Sequence, residues 1–288
     1  MMKNSNIIVW NCRGAAGKEF FKFCKYYIDI YKPEIFVCME TRCDPKKLYQ
    51  SCKKLGFNTC HSVDNIGFAG GIIVACKDDN LKVQMWNKEE HFIHLKMQDM
   101  HGREWMLTLV YASPYEVKRK SLWEHLRQFA DSINLPWLVA GDFNEIAFSN
   151  EKKGGAIASG RKCKIFRDNM EKCKLLDLVA SGPFFTWRGP IYHGGQRIYE
   201  RLDRAISNEE WRLMYSEAHA KVLPKVDFSD HHPIMTSLMC NKSERGPKPF
   251  RFESAWMVDE NYNERLRGFW RTDDNLVVNL KRIESDAT

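Results

Sequence analysis

The sequence predicts an α/β chain of the α+β kind, in which packed β-sheets are flanked by helices. Short apolar runs rich in Ile, Val, Phe and Trp are of strand type, and stretches with helical spacing lie between some of them. The two patterns do not alternate strictly, which favours packed sheets over one doubly wound sheet. Five of the apolar runs also carry a polar group at one end. Strand interiors pack a core while their ends face solvent or substrate, so such ends gather along one rim.

In chain order, "NIIVWN" ends on Asn11. Residues 19–31 then place Phe20, Phe23, Cys24, Tyr27 and Tyr31 at three- to four-residue intervals, the spacing of one helix face, and Pro33 stops the pattern. "EIFVCME" ends on Glu40 and "MLTLVY" on Tyr111. A second helical stretch, 121–133, repeats through Leu122, Leu126, Phe129 and Ile133, and the short basic "KRK" at 118–120 reads as a helix face. "PWLVAGDFN" closes on Asp142 and Asn144, and 163–176 is a third helical stretch through Phe166, Met170 and Cys173. Ser207 with Glu210 forms a capping-box signature ahead of Trp211 and Met214. In "SDHHPIMTSL" the polar group, Asp230 with His231 and His232, precedes the run. "KKGG" at 152–155 and "GGQR" at 194–197 read as flexible loops within reach of a nucleic-acid backbone. From Asn241 the glycine and prolines of "NKSERGPKPFRF" read as a linker, so the expected division is a domain over 1–240 and a linker with a tail over 241–288.

Composition narrows the class. A chain of 288 residues, 44% hydrophobic and 12% aromatic, can bury a large core. A formal charge of +7 permits a polyanionic partner without demanding one. Ten cysteines with no C-x-x-C pair lack the usual zinc-ribbon and thioredoxin spacings, and a reducing intracellular setting is expected. The first apolar run is too short for a signal-peptide core, and no window approaches the roughly 20 apolar residues of a membrane span.

One polar strand end is ordinary turn chemistry. Together they form a chemical set: Glu40, Asp142 and Asp230 are hard oxygen ligands suited to magnesium or manganese, and Asn11 and Asn144 add neutral amides. Tyr111 and His231 add donors for a phosphoryl oxygen whose charge grows in a transition state. His91 and His94, spaced H-x-x-H, have no carboxylate or cysteine of zinc type nearby and read as ordinary, and His232 reads as part of a turn.

In order and context, "WNCRG", "METR", "VYASP", "AGDFNE", "FTWRG", "ERLDRAI" and "SDHHPI" resemble the signature blocks of the endonuclease/exonuclease/phosphatase superfamily. The nearest likeness is to the endonuclease domain of plant LINE-type (non-LTR) retroelement proteins, related to apurinic/apyrimidinic endonucleases, and it covers about residues 5–240. The resemblance implies a four-layer α/β/β/α sandwich and a metal-dependent phosphodiesterase that nicks DNA to leave a 3'-hydroxyl. It implies Glu40 as main metal ligand with Asn11 beside it and Asp230 on the metal side, and Asp142 positioning and deprotonating water. It further implies Asn144 orienting Asp142 or the phosphate, Asp203 holding His231, and Tyr111 and Thr186 contacting the phosphate. The implied cofactor is Mg²⁺, with Mn²⁺ an alternative. The implied partner is DNA, with no membrane and no obligate protein partner, and a nuclear location follows from that substrate. The aromatic-x-Asp-Asp block of a reverse transcriptase does not occur, since "TDD" at 272–274 lacks the aromatic, while "GPKPFRFESAW" resembles the start of the connector after such an endonuclease domain. Two other readings stay open: a relative acting on RNA or small phosphorylated substrates, and a catalytically silent nucleic-acid-binding remnant.

Overall fold

A computed structural model describes residues 5–66, 69–191 and 194–238, together with Gly268 and Arg271. The linker and tail expected over 241–288 otherwise lie outside the described residues. The chain begins β1 (Asn6–Asn11), α1 (Lys18–Tyr31), β2 (Ile35–Met39), α2 (Pro45–Lys54), β3 (Thr59–Ile66) and β4 (Ala69–Cys76). It continues through β5 (Leu81–Glu89), β6 (Phe92–Asp99), β7 (Glu104–Tyr111), α3 (Glu116–Ser132) and β8 (Trp137–Asp142). After β9 (Lys152–Lys153) come α4 (Gly160–Lys172), β10 (Leu176–Asp177), β11 (Trp187–Ile191) and β12 (Arg197–Glu200). The last elements are β13 (Asp203–Ser207), α5 (Glu209–Met214), β14 (His219–Val222) and β15 (Ile234–Ser237).

The strands form two six-stranded mixed sheets, ordered β14-β15-β1-β2-β4-β3 and β10-β13-β8-β7-β6-β5. Side-chain alternation along one strand explains how the sheets stack. From β1, Ile7 and Val9 join Val37, Val74, Leu95, Leu107, Leu109 and Leu138 in a core drawn from both sheets. The intervening Ile8 and Trp10 face the other way, into a cluster with Phe20, Cys24 and Tyr27 of α1 and Leu48 of α2. On the second sheet, Met106, Val110 and Val139 face Leu126 and Phe129 of α3 and Phe166 of α4. The order of layers is therefore helices, sheet, sheet, helices: the expected α/β/β/α sandwich. Burial on both faces is why "IIVW" and "WLVA" read as continuous apolar runs rather than alternating ones.

Each sheet contains one parallel pair, β1 with β2 and β7 with β8. Parallel neighbours end on the same edge, so their last residues stand side by side. Asn11 is in register with Met39, one residue before Glu40, and Tyr111 is in register with Asp142. Antiparallel β13 enters this rim at Asp203, opposite Asp142.

Several boundaries differ from the periodicity. Helix α3 starts at Glu116, ahead of the expected Ser121, because Arg119 packs inward and donates to the Ser113 and Pro114 carbonyls at 2.9 and 2.7 Å. Helix α4 starts after the Ser159 cap and stops at Lys172, before the expected Leu176, as Lys174 adopts a left-handed φ of 55°. The cap of α5 is Asn208, not Ser207: its Oδ1 accepts from the Trp211 N–H at 3.0 Å, while Ser207 completes β13. Helix α2 buries only Pro45 and Leu48, too thin a stripe for periodicity to reveal. Of the segments read as flexible loops, Lys152–Lys153 and Arg197 enter a small sheet ordered β11-β12-β9, while 154–155 and 194–196 lie outside its strands. That sheet is tied to β13 by Arg204, fully buried under the Phe166 ring, which pairs with Glu151 and with Asp177 at 2.7 Å. Arg201 adds pairs to Glu151 at 2.9 Å and Asp177 at 2.8 Å.

Two predictions follow from these contacts. A methyl group on Gly141 (φ 151°) would stand 1.9 Å from the Val110 carbonyl oxygen, across the parallel ladder that sets the rim. Gly141→Ala is therefore expected to cost more than about 3 kcal/mol in urea unfolding, and a change under about 1 kcal/mol would refute this account of the β7–β8 approach. Burial by itself would raise the Asp177 carboxyl, but Arg204 and Arg201 outweigh it and hold the group below the ordinary carboxylate range. A depressed folded-state pKa contributes stability that is present above the unfolded value and lost as pH falls through the folded one. Stability should thus decline below about pH 4, and Asp177→Asn should remove part of that slope in pH-dependent thermal unfolding.

Candidate active site

The rim formed by the two parallel pairs collects the polar strand ends into one cluster. Asp142 is 1% exposed, and its carboxylate accepts from Asn11 Nδ2 at 2.9 Å and from the Asn144 N–H at 2.9 Å. Asn144 sits at φ 49°, a left-handed conformation that lets its amide nitrogen donate to the Ala112 carbonyl at 2.8 Å while its backbone N–H turns toward Asp142. Asn11 belongs to the first sheet and Asp142 to the second, so this amide joins the two layers.

His231 lies just ahead of β15. Its Nδ1 donates to Asp203 Oδ2 at 2.9 Å, leaving Nε2 3.9 Å from Asp142 Oδ2. The turn is fastened three ways: the His231 N–H donates to Ser229 Oγ at 3.0 Å, Ser229 Oγ donates to the Asn11 carbonyl at 2.7 Å, and Trp10 Nε1 donates to the His231 carbonyl at 3.3 Å. His232, expected in the turn, points away, with Nδ1 on the Leu223 carbonyl at 2.8 Å.

Burial pushes the Asp142 carboxyl up to about 6, with Asp203 adding to the rise and His231 and Asn11 opposing it. Burial would lower His231, but Asp203 and Asp142 outweigh it and raise the imidazole to about 9. Burial thus works against the charged form of Asp142, while the two carboxylates favour the protonated form of His231. Burial, then Glu40 and Asp142, raises the Tyr111 hydroxyl, which keeps its proton and remains a donor.

Glu40, at φ 55°, follows β2 and directs its carboxylate toward Arg13 and Arg42. Arg42 is ion-paired to Oε1, and Arg13 Nε lies 3.8 Å from Oε2. Arg13 is also ion-paired to Asp230 Oδ2, which accepts from Trp187 Nε1 at 2.8 Å. Arg13 and Arg42 are themselves left-handed, at φ 52° and 51°. Such backbone strain, on the order of 1 kcal/mol or more per residue, is typical of functional sites held by their surroundings. The sequence reading missed both arginines, although each sits two residues from a named site residue in "NCR" and "ETR". An open depression of about 480 Å³ lies beside them, lined by Arg13, Arg188, Arg197, Lys225 and Asp230 among others.

One expected role needs correction. Thr186, assigned to the phosphate, is fully buried, and its Oγ1 accepts the Leu202 and Asp203 N–H groups, each at 2.9 Å. Its hydroxyl oxygen holds the backbone that presents Asp203.

Glu40, Asp230 and the Asn11 amide oxygen are hard donors, and Asp230 Oδ1 is a buried acceptor without a hydrogen-bond partner among the described residues. An oxygen left in that state is satisfied by an ion or water, so the set fits a hard divalent cation. Asp142, Asp203 and His231 also bring ligand atoms within 4.8 Å of one another. In that trio His231 is already engaged through Nδ1 with Asp203, while its Nε2 faces Asp142.

No curated protein matches the sequence. Among solved structures, an AP endonuclease from Leishmania major is 16% identical at a TM-score of 0.65, over 83% of this chain and 89% of that chain. The endonuclease domain of a telomere-specific non-LTR retrotransposon is 15% identical at 0.59, over 83% of this chain and 100% of that one. A 3'-5' exonuclease from Neisseria meningitidis is 17% identical at 0.59, over 80% and 98% respectively. At such identities the likeness is one of fold. The sequence model of the Endonuclease/Exonuclease/phosphatase family, however, matches residues 8–231, from the middle of β1 to the histidine held by Asp203. With the four-layer sandwich and the buried Asp–His–Asp cluster inside that span, the chain belongs to the Endonuclease/Exonuclease/phosphatase family.

Proposed function

We propose that the protein is a divalent-metal-dependent phosphodiester hydrolase, and most concretely a DNA endonuclease that nicks one strand to leave a 3'-hydroxyl. The observation that carries this reading is the convergence, in one buried cluster, of Asp142 held by Asn11 and Asn144 with His231 held by Asp203, its Nε2 3.9 Å from Asp142 Oδ2. In-line hydrolysis needs a group that takes a proton from water and a donor that meets charge growing on the phosphoryl oxygens. Asp142, fixed by Asn11 and by the backbone of Asn144, is aimed to orient a water and accept its proton. His231 offers its Nε2–H to a phosphoryl oxygen, and the Asp203 bond keeps the ring oriented. Tyr111 supplies a second donor at the same rim. Glu40 and Asp230, with Asn11 at their side, would hold Mg²⁺ or Mn²⁺, which when bound neutralises phosphoryl oxygens and stabilises the leaving oxygen.

DNA is favoured as substrate by the net charge of +7 and by the basic depression beside the cluster. The structural relatives point the same way, since they include an AP endonuclease and a retrotransposon endonuclease domain, and a Neisseria 3' phosphatase of this fold was determined with a product DNA hairpin. The sequence blocks favour a retroelement origin of the plant LINE type, with residues 1–240 as the catalytic unit and 241–288 as linker and connector-like tail. A DNA substrate places its site of action in the nucleus. Among the described residues no helix is long and apolar enough to cross a membrane.

With Mg²⁺ and supercoiled plasmid, the wild-type chain is expected to convert substrate to open circles, and Asp142→Ala and His231→Ala to slow conversion by at least about 100-fold. Equal rates for wild type and Asp142→Ala would sink the hydrolase reading. Chelation with EDTA should stop nicking and added Mg²⁺ or Mn²⁺ restore it, whereas nicking that persists after chelation would rule out metal dependence.

A further inference from the structure

Arg13 occupies a position that the roles assigned so far leave unexplained. Its guanidinium stands between the two carboxylates of the metal side, paired with Asp230 Oδ2 and 3.8 Å from Glu40 Oε2, while Arg42 takes the other Glu40 oxygen. The backbone is built to keep it there. The Arg13 N–H donates to Asn11 Oδ1 at 3.2 Å, and the flanking residues are clamped to the β2 loop by Cys12 N–H to the Met39 carbonyl at 3.0 Å and Ala15 N–H to the Thr41 carbonyl at 2.8 Å. The side chain is 44% exposed, so it is free to swing even though its backbone is not. It also lines the basic depression with Arg188, Arg197 and Lys225.

Charge counting gives this placement a consequence. Without a metal, Glu40 and Asp230 carry two negative charges, and Arg13 and Arg42 carry two positive ones. With Asp142, Asp203 and a protonated His231 of the adjoining cluster counted, a divalent cation on the same carboxylates would set five positive charges against four negative, an excess that an entering anion or a departing guanidinium relieves. A phosphodiester in the adjacent depression is an anion whose oxygens match the guanidinium donor pattern.

We propose that Arg13 is an exchangeable counter-cation: it holds Glu40 and Asp230 together in the metal-free protein, then transfers to a phosphate of the nucleic-acid strand when a divalent ion takes those carboxylates. This rests on the metal-dependent reading given above. Exchange makes metal and strand mutually supportive ligands, because each relieves the charge that the other brings. It also sets Arg13 apart from a plain structural residue. Loss of a residue that only shapes the site would weaken metal binding, whereas loss of a competing cation strengthens it.

The test is Mn²⁺ binding to the full chain, read from the electron paramagnetic resonance signal of free Mn²⁺, without DNA and with a saturating duplex bearing a non-hydrolysable phosphate linkage. Thermal unfolding of each variant establishes that it is folded. Arg13→Gln is expected to bind Mn²⁺ about three- to tenfold more tightly than wild type without DNA, and to lose most of the tightening that DNA confers. Arg13→Lys, which keeps the charge, is expected to stay near wild type in the DNA-free titration. Arg13→Gln should also lower affinity for the duplex at fixed salt. If wild type binds Mn²⁺ and folded Arg13→Gln binds it equally or more weakly, the exchange proposal is overturned and the metal-dependent reading stands. If wild type takes up no Mn²⁺ with or without DNA, the metal-dependent reading falls, and this proposal with it.

Discussion

Burial of the Asp142 carboxylate is the constraint around which the site is organised. A carboxylate that is 1% exposed is costly unless its oxygens are satisfied, and here the partners come from separate parts of the chain: Asn11 from the first sheet and Asn144 from the turn after β8, with His231 opposite. These groups meet only if the two sheets pack with their rims aligned. The Asn11–Asp142 bond is thus a staple between layers, and so is the bond of His231 on the β15 side with Asp203 on β13. Burial and Asp203 raise the Asp142 carboxyl, while Asp203 and Asp142 raise His231 against the opposing effect of burial.

The block "ERLDRAI" illustrates how one short segment serves two structures. Asp203 faces His231, while Arg201 and Arg204 face the buried Glu151 and the partly buried Asp177. Breaking a buried ion pair by removing one partner strands a charge, with a cost of about 3–5 kcal/mol. The arginines therefore anchor the segment that presents Asp203, and the hydroxyl of Thr186 fixes its backbone from the side. Within the block, one residue faces the buried cluster and two arginines hold the segment in place.

Left-handed backbone at Arg13, Glu40, Arg42 and Asn144 marks the same rim. Each of these residues follows the end of a strand of a parallel pair, where the chain must turn sharply before it can leave the sheet. The strain is held by backbone bonds such as that from the Ala15 N–H to the Thr41 carbonyl. As a result, the guanidinium groups of Arg13 and Arg42 reach the Glu40 carboxylate while their side chains stay partly exposed.

Much of the site was legible before any coordinates. Asn11, Glu40, Tyr111, Asp142 and Asp230 stood out because a polar group at the edge of an apolar run breaks a local pattern, and a local pattern survives in one dimension. Helix α1 was legible for the same reason, its apolar stripe being wide, whereas α2 hid behind a stripe of two buried residues. The sequence by itself determined the residue types available, the strand runs buried on both faces and the ends where chemistry could gather. Only the tertiary structure decided which ends meet, that Thr186 lies behind Asp203, that Asn208 rather than Ser207 caps α5, and that two arginines occupy the metal-side carboxylates. Those outcomes depend on distances between residues far apart in the chain and on the direction of individual side chains, and a linear pattern encodes neither.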